Sequence, residues 1–179
     1  MDEVRRGRVV SRDGTEIAYE RYGDGPAVVL VGGADGGGRA LAGLLARRFS
    51  VVTYERRGPG TAEREIEDLA AVLEAAGPGA AVHGTETGGA LALAGAAAGL
   101  PVGAVSVYEP EPLADDLVRA VHARVLVVDG GASPVATRRA ARALTAALPR
   151  ARHRTLTGQT HEVAPHVLAP VLADFLDES

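Results

Sequence analysis

The 179-residue chain has no cysteine and no tryptophan, one methionine and only six other large aromatic side chains, four Tyr and two Phe. Without cysteine there is no disulfide, no thiolate nucleophile and no Cys-ligated zinc. With aromatics at 3%, the interior has to be built from Ala, Val and Leu. Basic blocks are missing too, and the formal net charge is -4. Nucleic acid and anionic membrane are therefore poor partners. No apolar run is long enough to span a bilayer, and no N-terminal stretch has the form of a secretory signal, so the expected location is cytoplasmic. No linker, repeat or low-complexity tract divides the chain, which predicts one domain over 1–179.

What is present is a regular alternation. GRVVSRDGTEIAYERYGDG reads as a β-hairpin turning at Asp13-Gly14. AVVLVGG, from Ala27 to Gly33, is the continuous apolar run of a strand buried on both faces. Strands are likewise predicted for SVVTYE (Ser50 to Glu55), AAVHGTE, VGAVSVYEP, ARVLVVDGG and ARHRTLTGQ. Between and after them lie helical patterns: RALAGLLARRF, AEREIEDLAAVLEAAG, TGGALALAGAAAG, the short PLADDLVRAVH, SPVATRRAARALTAALP and APHVLAPVLADFLDE. Ser133 is the expected N-cap of the fifth helix, with Pro134 at its first position. A hairpin followed by strand–helix alternation predicts an α/β three-layer sandwich with a mostly parallel sheet.

Ligands of such sheets bind beyond the carboxyl ends of the strands. Those ends carry Gly33-Ala34, Glu55, Glu86, Glu109, Asp129 and Gln159-Thr160-His161. Carboxylates and a histidine at one edge make a chemical constellation. A dinucleotide site is the first alternative, since AVVLVGGADGGG followed by Glu55 has roughly the right layout. It fails because Gly36-Gly37-Gly38 runs into Arg39, Ala40 and Leu41, so no G-x-G-x-x-G register fits.

The stretch GTETGG, Gly84 to Gly89, lies between a strand and a helix, the setting of a nucleophile elbow, G-x-Ser-x-G. Together with VVLVGGAD, YERRGPG, YEP, VLVVDGGASP and GQTHEV, in that order along the chain, it resembles the α/β-hydrolase superfamily. The resemblance implies an oxyanion loop at VVLVGGAD, the elbow at GTETGG, an acid near the sixth or seventh strand and the late base at His161. This sequence departs from the family pattern in three ways. The elbow holds Glu86 where Ser, Asp or Cys is usual. The acid position after the seventh strand holds Ser133. The segment from Glu109 to Arg124 is too short for a cap or lid domain.

The resemblance therefore implies Glu86, His161 and Glu109 as the catalytic group, with Asp129 as the alternative acid. Backbone N–H groups of Ala34 and Thr87 would form the oxyanion hole. Gly33, Asp35, Thr85, Tyr108 and Thr160 would line the pocket. His83, His122, His153 and His166 lack the landmark position. A serine esterase is excluded at the elbow, because Ser11, Ser50, Ser106, Ser133 and Ser179 all lie outside a G-x-Ser-x-G context.

Three functions remain. In the first, Glu86 and His161 act as an acid–base pair on a carbonyl-bearing small molecule. The outcome would be cyclisation, isomerisation or elimination, as in superfamily members that have lost the nucleophile, some of them in natural-product pathways. The second is covalent hydrolysis of an epoxide or alkyl halide by Glu86. The third is a binding or scaffold protein on a retired hydrolase fold. No cofactor or metal is implied. Reaction through an enolate needs water excluded, so the ADGGG and RRGPGT loops or a second copy of the chain, in a homodimer, are expected to cover the edge.

Overall fold

The computed structural model describes residues 4–32, 38–57 and 60–178. Its centre is one eight-stranded sheet in the order β1-β2-β4-β3-β5-β6-β7-β8. The strands are β1 (Arg5–Val10), β2 (Glu16–Tyr22), β3 (Ala27–Val31), β4 (Ser50–Tyr54), β5 (Ala81–Thr85), β6 (Ala104–Tyr108), β7 (Arg124–Gly130) and β8 (Ala151–Leu156). The first two form an antiparallel hairpin that joins β4 antiparallel. All remaining pairings are parallel. The hairpin and the mostly parallel sheet follow the sequence expectation.

Helices cover both faces. One core packs α1 (Gly38–Leu45) and α6 (Pro165–Leu176) through Leu41, Leu45, Leu168, Leu172 and Phe175. The other packs α2 (Ala62–Ala76), α3 (Glu86–Ala97), α4 (Asp115–Ala120) and α5 (Val135–Ala147) through residues such as Leu69, Val72, Leu91, Leu93, Val118 and Ala141. Val29, Val52, Val82, Val105, Val125 and Val127 are wholly buried on the sheet. A Val-rich centre is what strands covered on both faces require, and it replaces the missing aromatics.

Several boundaries differ from the sequence reading. β4 ends at Tyr54, so Glu55 stands in the following loop and is exposed. The N-cap of α5 is Pro134 without a side-chain cap bond, and Ser133 is buried with its hydroxyl unpartnered. Between β6 and β7 there is only the six-residue α4, so no cap domain is inserted at that connection. Among the described residues no helix is long and apolar enough to cross a membrane.

The loop after β4 is held by charge. Arg57 donates from Nε to Asp68 at 2.6 Å and from Nη1 to Asp13 at 2.7 Å. It thereby ties the hairpin turn to α2, and its guanidinium holds the Asp13 carboxyl well below the usual carboxylate range. Asp68 is buried, so this bridge has little solvent screening on one side.

Candidate functional site

The junction of β5 and α3 is built for close approach. A Cβ on Gly84 would collide with the backbone of Gly88 and Gly89, and one on Gly88 with the Val31 carbonyl. Only hydrogen at these positions lets α3 sit directly on the ends of β3 and β5. Thr85 is the N-cap in extended conformation, and Glu86 follows it with φ +49°. That left-handed conformation is sparsely populated for a residue with a side chain. It lifts Glu86 out of the strand, and its side chain remains 44% exposed.

The end of β6 repeats the device. Glu109 has φ +43° and is the only other residue besides glycine with positive φ among those described. Its side chain is 2% exposed, and its Oε1 accepts the backbone N–H of Gly130 at 2.9 Å. The segment after β8 carries His161 to both glutamates. His161 Nε2 lies in direct polar contact with the Glu86 carboxylate, and Nδ1 is 3.4 Å from Glu109 Oε2. The imidazole thus stands between an exposed and a buried carboxylate, with 58% of its own side chain open to solvent.

Among the described residues Asp129, the alternative acid, has no ion pair with His161. It lies on the same face of β7 as Val127, whose register partner is His153. The carboxylate is therefore turned along the sheet face, wholly buried, with His153 Nε2 at 3.2 Å. Glu55 is also outside the group, in its exposed loop.

Thr87 follows Glu86 in the first turn of α3, and its hydroxyl accepts Arg56 Nη1 at 2.9 Å. Arg56 also donates from Nε to Glu65 at 2.9 Å. Tyr108 is buried, and its hydroxyl donates to the Thr160 carbonyl at 2.6 Å. Gly33, Ala34 and Asp35 lie outside the described residues, as do Gly58 and Pro59 of the RRGPGT loop. Thr87 is a wall of a cavity of about 1240 Å³ that runs along Gly32, Leu30, Thr53, Tyr54 and Tyr19 to the hairpin. Among the described residues no three His, Asp or Glu side chains gather to hold a metal ion.

Comparison with solved structures places the fold. The crystal structure of an alpha/beta hydrolase from Sphaerobacter thermophilus is 34% identical, with a TM-score of 0.89, over 95% of this chain and 100% of that one. The chain belongs to the α/β-hydrolase superfamily. A thermophilic esterase from Thermogutta terrifontis shares the fold at 16% identity and TM-score 0.85, covering 97% of this chain and 98% of its own. A bromoperoxidase from Bacillus anthracis does so at 15% and 0.80, covering 96% and 100%. No family model and no curated protein matches the chain.

Within this α/β-hydrolase, the sequence reading missed Arg56. It joins the loop after β4 to the first turn of α3. Its signal in the sequence is the arginine pair of YERRGPG, which by itself indicates no partner for either side chain. The role of Gly130 as donor to Glu109 was missed as well, because backbone donors leave no mark in residue type.

Proposed function

We propose that the protein is an enzyme that uses Glu86 and His161 as an acid–base pair on a carbonyl-bearing small molecule, in a cyclisation, isomerisation or elimination. The observation that carries this reading is the direct contact between the Glu86 carboxylate and His161 Nε2. Groups in such contact can pass a proton between them during a turnover. One removes a proton next to the substrate carbonyl, and the other returns one elsewhere on the molecule. Glu109 faces Nδ1 and orients the ring. The Thr87 N–H, at the start of α3, would stabilise enolate charge. The second donor, expected at Ala34, lies outside the described residues. The cavity that shares the Thr87 wall is lined by neither Glu86 nor His161, and it is the route by which substrate would approach them.

Covalent hydrolysis by Glu86 is less well supported by the same contact. It needs a carboxylate free to attack and a water between His and the resulting ester. In the contact seen here, one Glu86 oxygen is already engaged by the imidazole. The exposure of the pair is what favours hydrolysis in return, because water reaches both groups. For the acid–base reading the edge needs a cover, and a second copy of the chain is our candidate. Sedimentation at micromolar concentration checks it, and a strictly monomeric protein counts against the reading.

The deciding experiment incubates the protein in D2O with a panel of small 1,3-dicarbonyl compounds and follows α-carbon deuteration by NMR. Catalysed exchange that Glu86→Gln abolishes supports the proposal. A parallel reaction in 18O-water with epoxide and alkyl halide probes reads the intact mass of the protein. Incorporation of 18O into Glu86 establishes the covalent hydrolase instead. Neither signal from any probe removes the enzyme reading in favour of a binding protein.

A further inference from the structure

Tyr108 and Glu109 are consecutive, and in a regular strand neighbours face opposite sides of the sheet. Here both reach the same segment. The left-handed φ of Glu109 ends the alternation, so its carboxylate meets the His161 ring while the Tyr108 hydroxyl meets the Thr160 carbonyl, one residue earlier. Among the described residues, the segment's other hydrogen bonds lie upstream and downstream of the ring. Ala132 N–H donates to the Gln159 carbonyl at 2.9 Å, and Gln159 Oε1 accepts the Ala164 N–H at 2.9 Å. Of these bonds, the one from Tyr108 lies nearest in sequence to His161. Its ring is anchored in the α1–α6 core, against which Val163 also packs, a rigid base for the exposed residues 160–162. Burial, helped by the Glu109 and Asp129 charges, pushes the phenol pKa upward, which keeps the hydroxyl a donor.

We propose that Tyr108 is a positioning residue for His161: its hydroxyl grips the Thr160 carbonyl and sets the height of the imidazole between Glu86 and Glu109. The inference rests on the acid–base reading of that pair and extends it from the reacting groups to the core residue that holds one of them. Glu109 governs how the ring is turned, and Tyr108 where it stands. Displacement of a catalytic group by about an ångström costs about a hundredfold in rate, so one hydrogen bond at this point has leverage.

The test is Tyr108→Phe, with Tyr22→Phe as control. Tyr22 also loses a hydroxyl bond, 2.6 Å to Glu20, on the hairpin strand β2 rather than on the His161 segment. Thr160 is exposed, so its freed carbonyl finds water and the fold survives. The expected melting-temperature drop is about 2–4 °C for either variant. The first readout needs no substrate: the NMR shifts and relaxation of the His161 ring in 15N-labelled protein. Tyr108→Phe should move and broaden them, and Tyr22→Phe should not. The second is deuterium exchange into the carbonyl probe, where kcat should fall about ten- to a hundredfold with KM nearly unchanged. A His161 ring signal identical to wild type in Tyr108→Phe overturns the proposal, and so does a moved ring with unchanged kcat. If wild type turns over no probe, the acid–base reading falls, and the ring signal alone decides whether Tyr108 positions His161.

Discussion

The two glutamates that face His161 share a backbone conformation and differ in almost everything else. Glu86 and Glu109 both sit at the carboxyl end of a parallel strand with φ near +45°, at +49° and +43°. Glu86 is 44% exposed, and among the described residues the His161 ring is the protein group paired with its carboxylate. Glu109 is 2% exposed and takes the Gly130 N–H. The first has a carboxylate open to whatever enters the edge. The second is held on one oxygen and offers only the other. A strained backbone at one strand end thus presents a reactive group, and at the next a supporting one. Such strain persists only where the surroundings over-determine it, and here two adjacent strand ends converge on one imidazole.

The largest expected effect comes from charge removal at the exposed member. Glu86→Gln should lower the deuterium-exchange rate about a thousandfold, because the proton acceptor is gone. Glu109→Gln keeps the acceptor for Gly130 N–H and should lower kcat by only about tenfold. Steady-state exchange rates on both variants check the ordering. Equal losses would mean that the two carboxylates act as one unit.

The next effect separates the scaffolds behind them. Gly88→Ala drives a methyl into the Val31 carbonyl and should cost about 3 kcal/mol. Gly130→Ala meets the Gln159 carbonyl and the Ser133 hydroxyl and should cost about 2 kcal/mol. The second also shifts Gln159, two residues before His161, so its activity loss should exceed what its stability loss explains. Urea unfolding with parallel exchange assays reads both.

His83 and Ser106 are register partners on β5 and β6, and their Nδ1 and Oγ lie 2.9 Å apart. They therefore stitch together the two strands that end in Glu86 and Glu109. Burial depresses the His83 pKa from 6.5 to about 4, so the ring is neutral in the folded protein while the unfolded chain titrates normally. The unfolded state binds the extra proton, and stability falls as pH drops. The contribution is complete above pH 6.5 and is lost progressively down to about pH 4, by about 3 kcal/mol in all. Urea midpoints at pH 7.5, 5.5 and 4.5 measure the slope, and a His83→Gln variant should lack this part of it.

Much of this was legible before any coordinates. Parallel strands that alternate with helices bring their carboxyl ends to one edge, so the residues after each apolar run could be gathered without distances. Glu86, Glu109 and His161 fall into contact for that reason. The choice between Glu109 and Asp129 was not legible. Asp129 is still inside β7 and faces along the sheet, whereas Glu109 has left β6 through a positive φ. Nothing in the residue type announces a glutamate in left-handed backbone. Nor does periodicity report the reach of Arg56 to Thr87, which spans 31 positions. Side chains that bridge loops depend on where loops meet.

The smallest expected effect has opposite signs at the two positions. Left-handed backbone costs a residue with a Cβ about 1 kcal/mol, and glycine pays almost none of it. At Glu86 the side chain returns little stability, since its contact with His161 is half-exposed and such pairs contribute between zero and about 1 kcal/mol. Glu86→Gly should therefore leave the protein as stable as wild type or up to about 1 kcal/mol more stable, and inactive. At Glu109 the same relief is outweighed. Glu109→Gly leaves the Gly130 N–H without its acceptor in a buried site, at about 1–3 kcal/mol, and opens a void where the side chain lay. Thermal melts of the two glycine variants read the signs directly. A stabilised Glu86→Gly beside a destabilised Glu109→Gly would mean that the strain at Glu86 is kept for chemistry, at the expense of stability. If both destabilise, Glu86 is a structural residue of the α3 N-terminus and the contrast between the two glutamates fails.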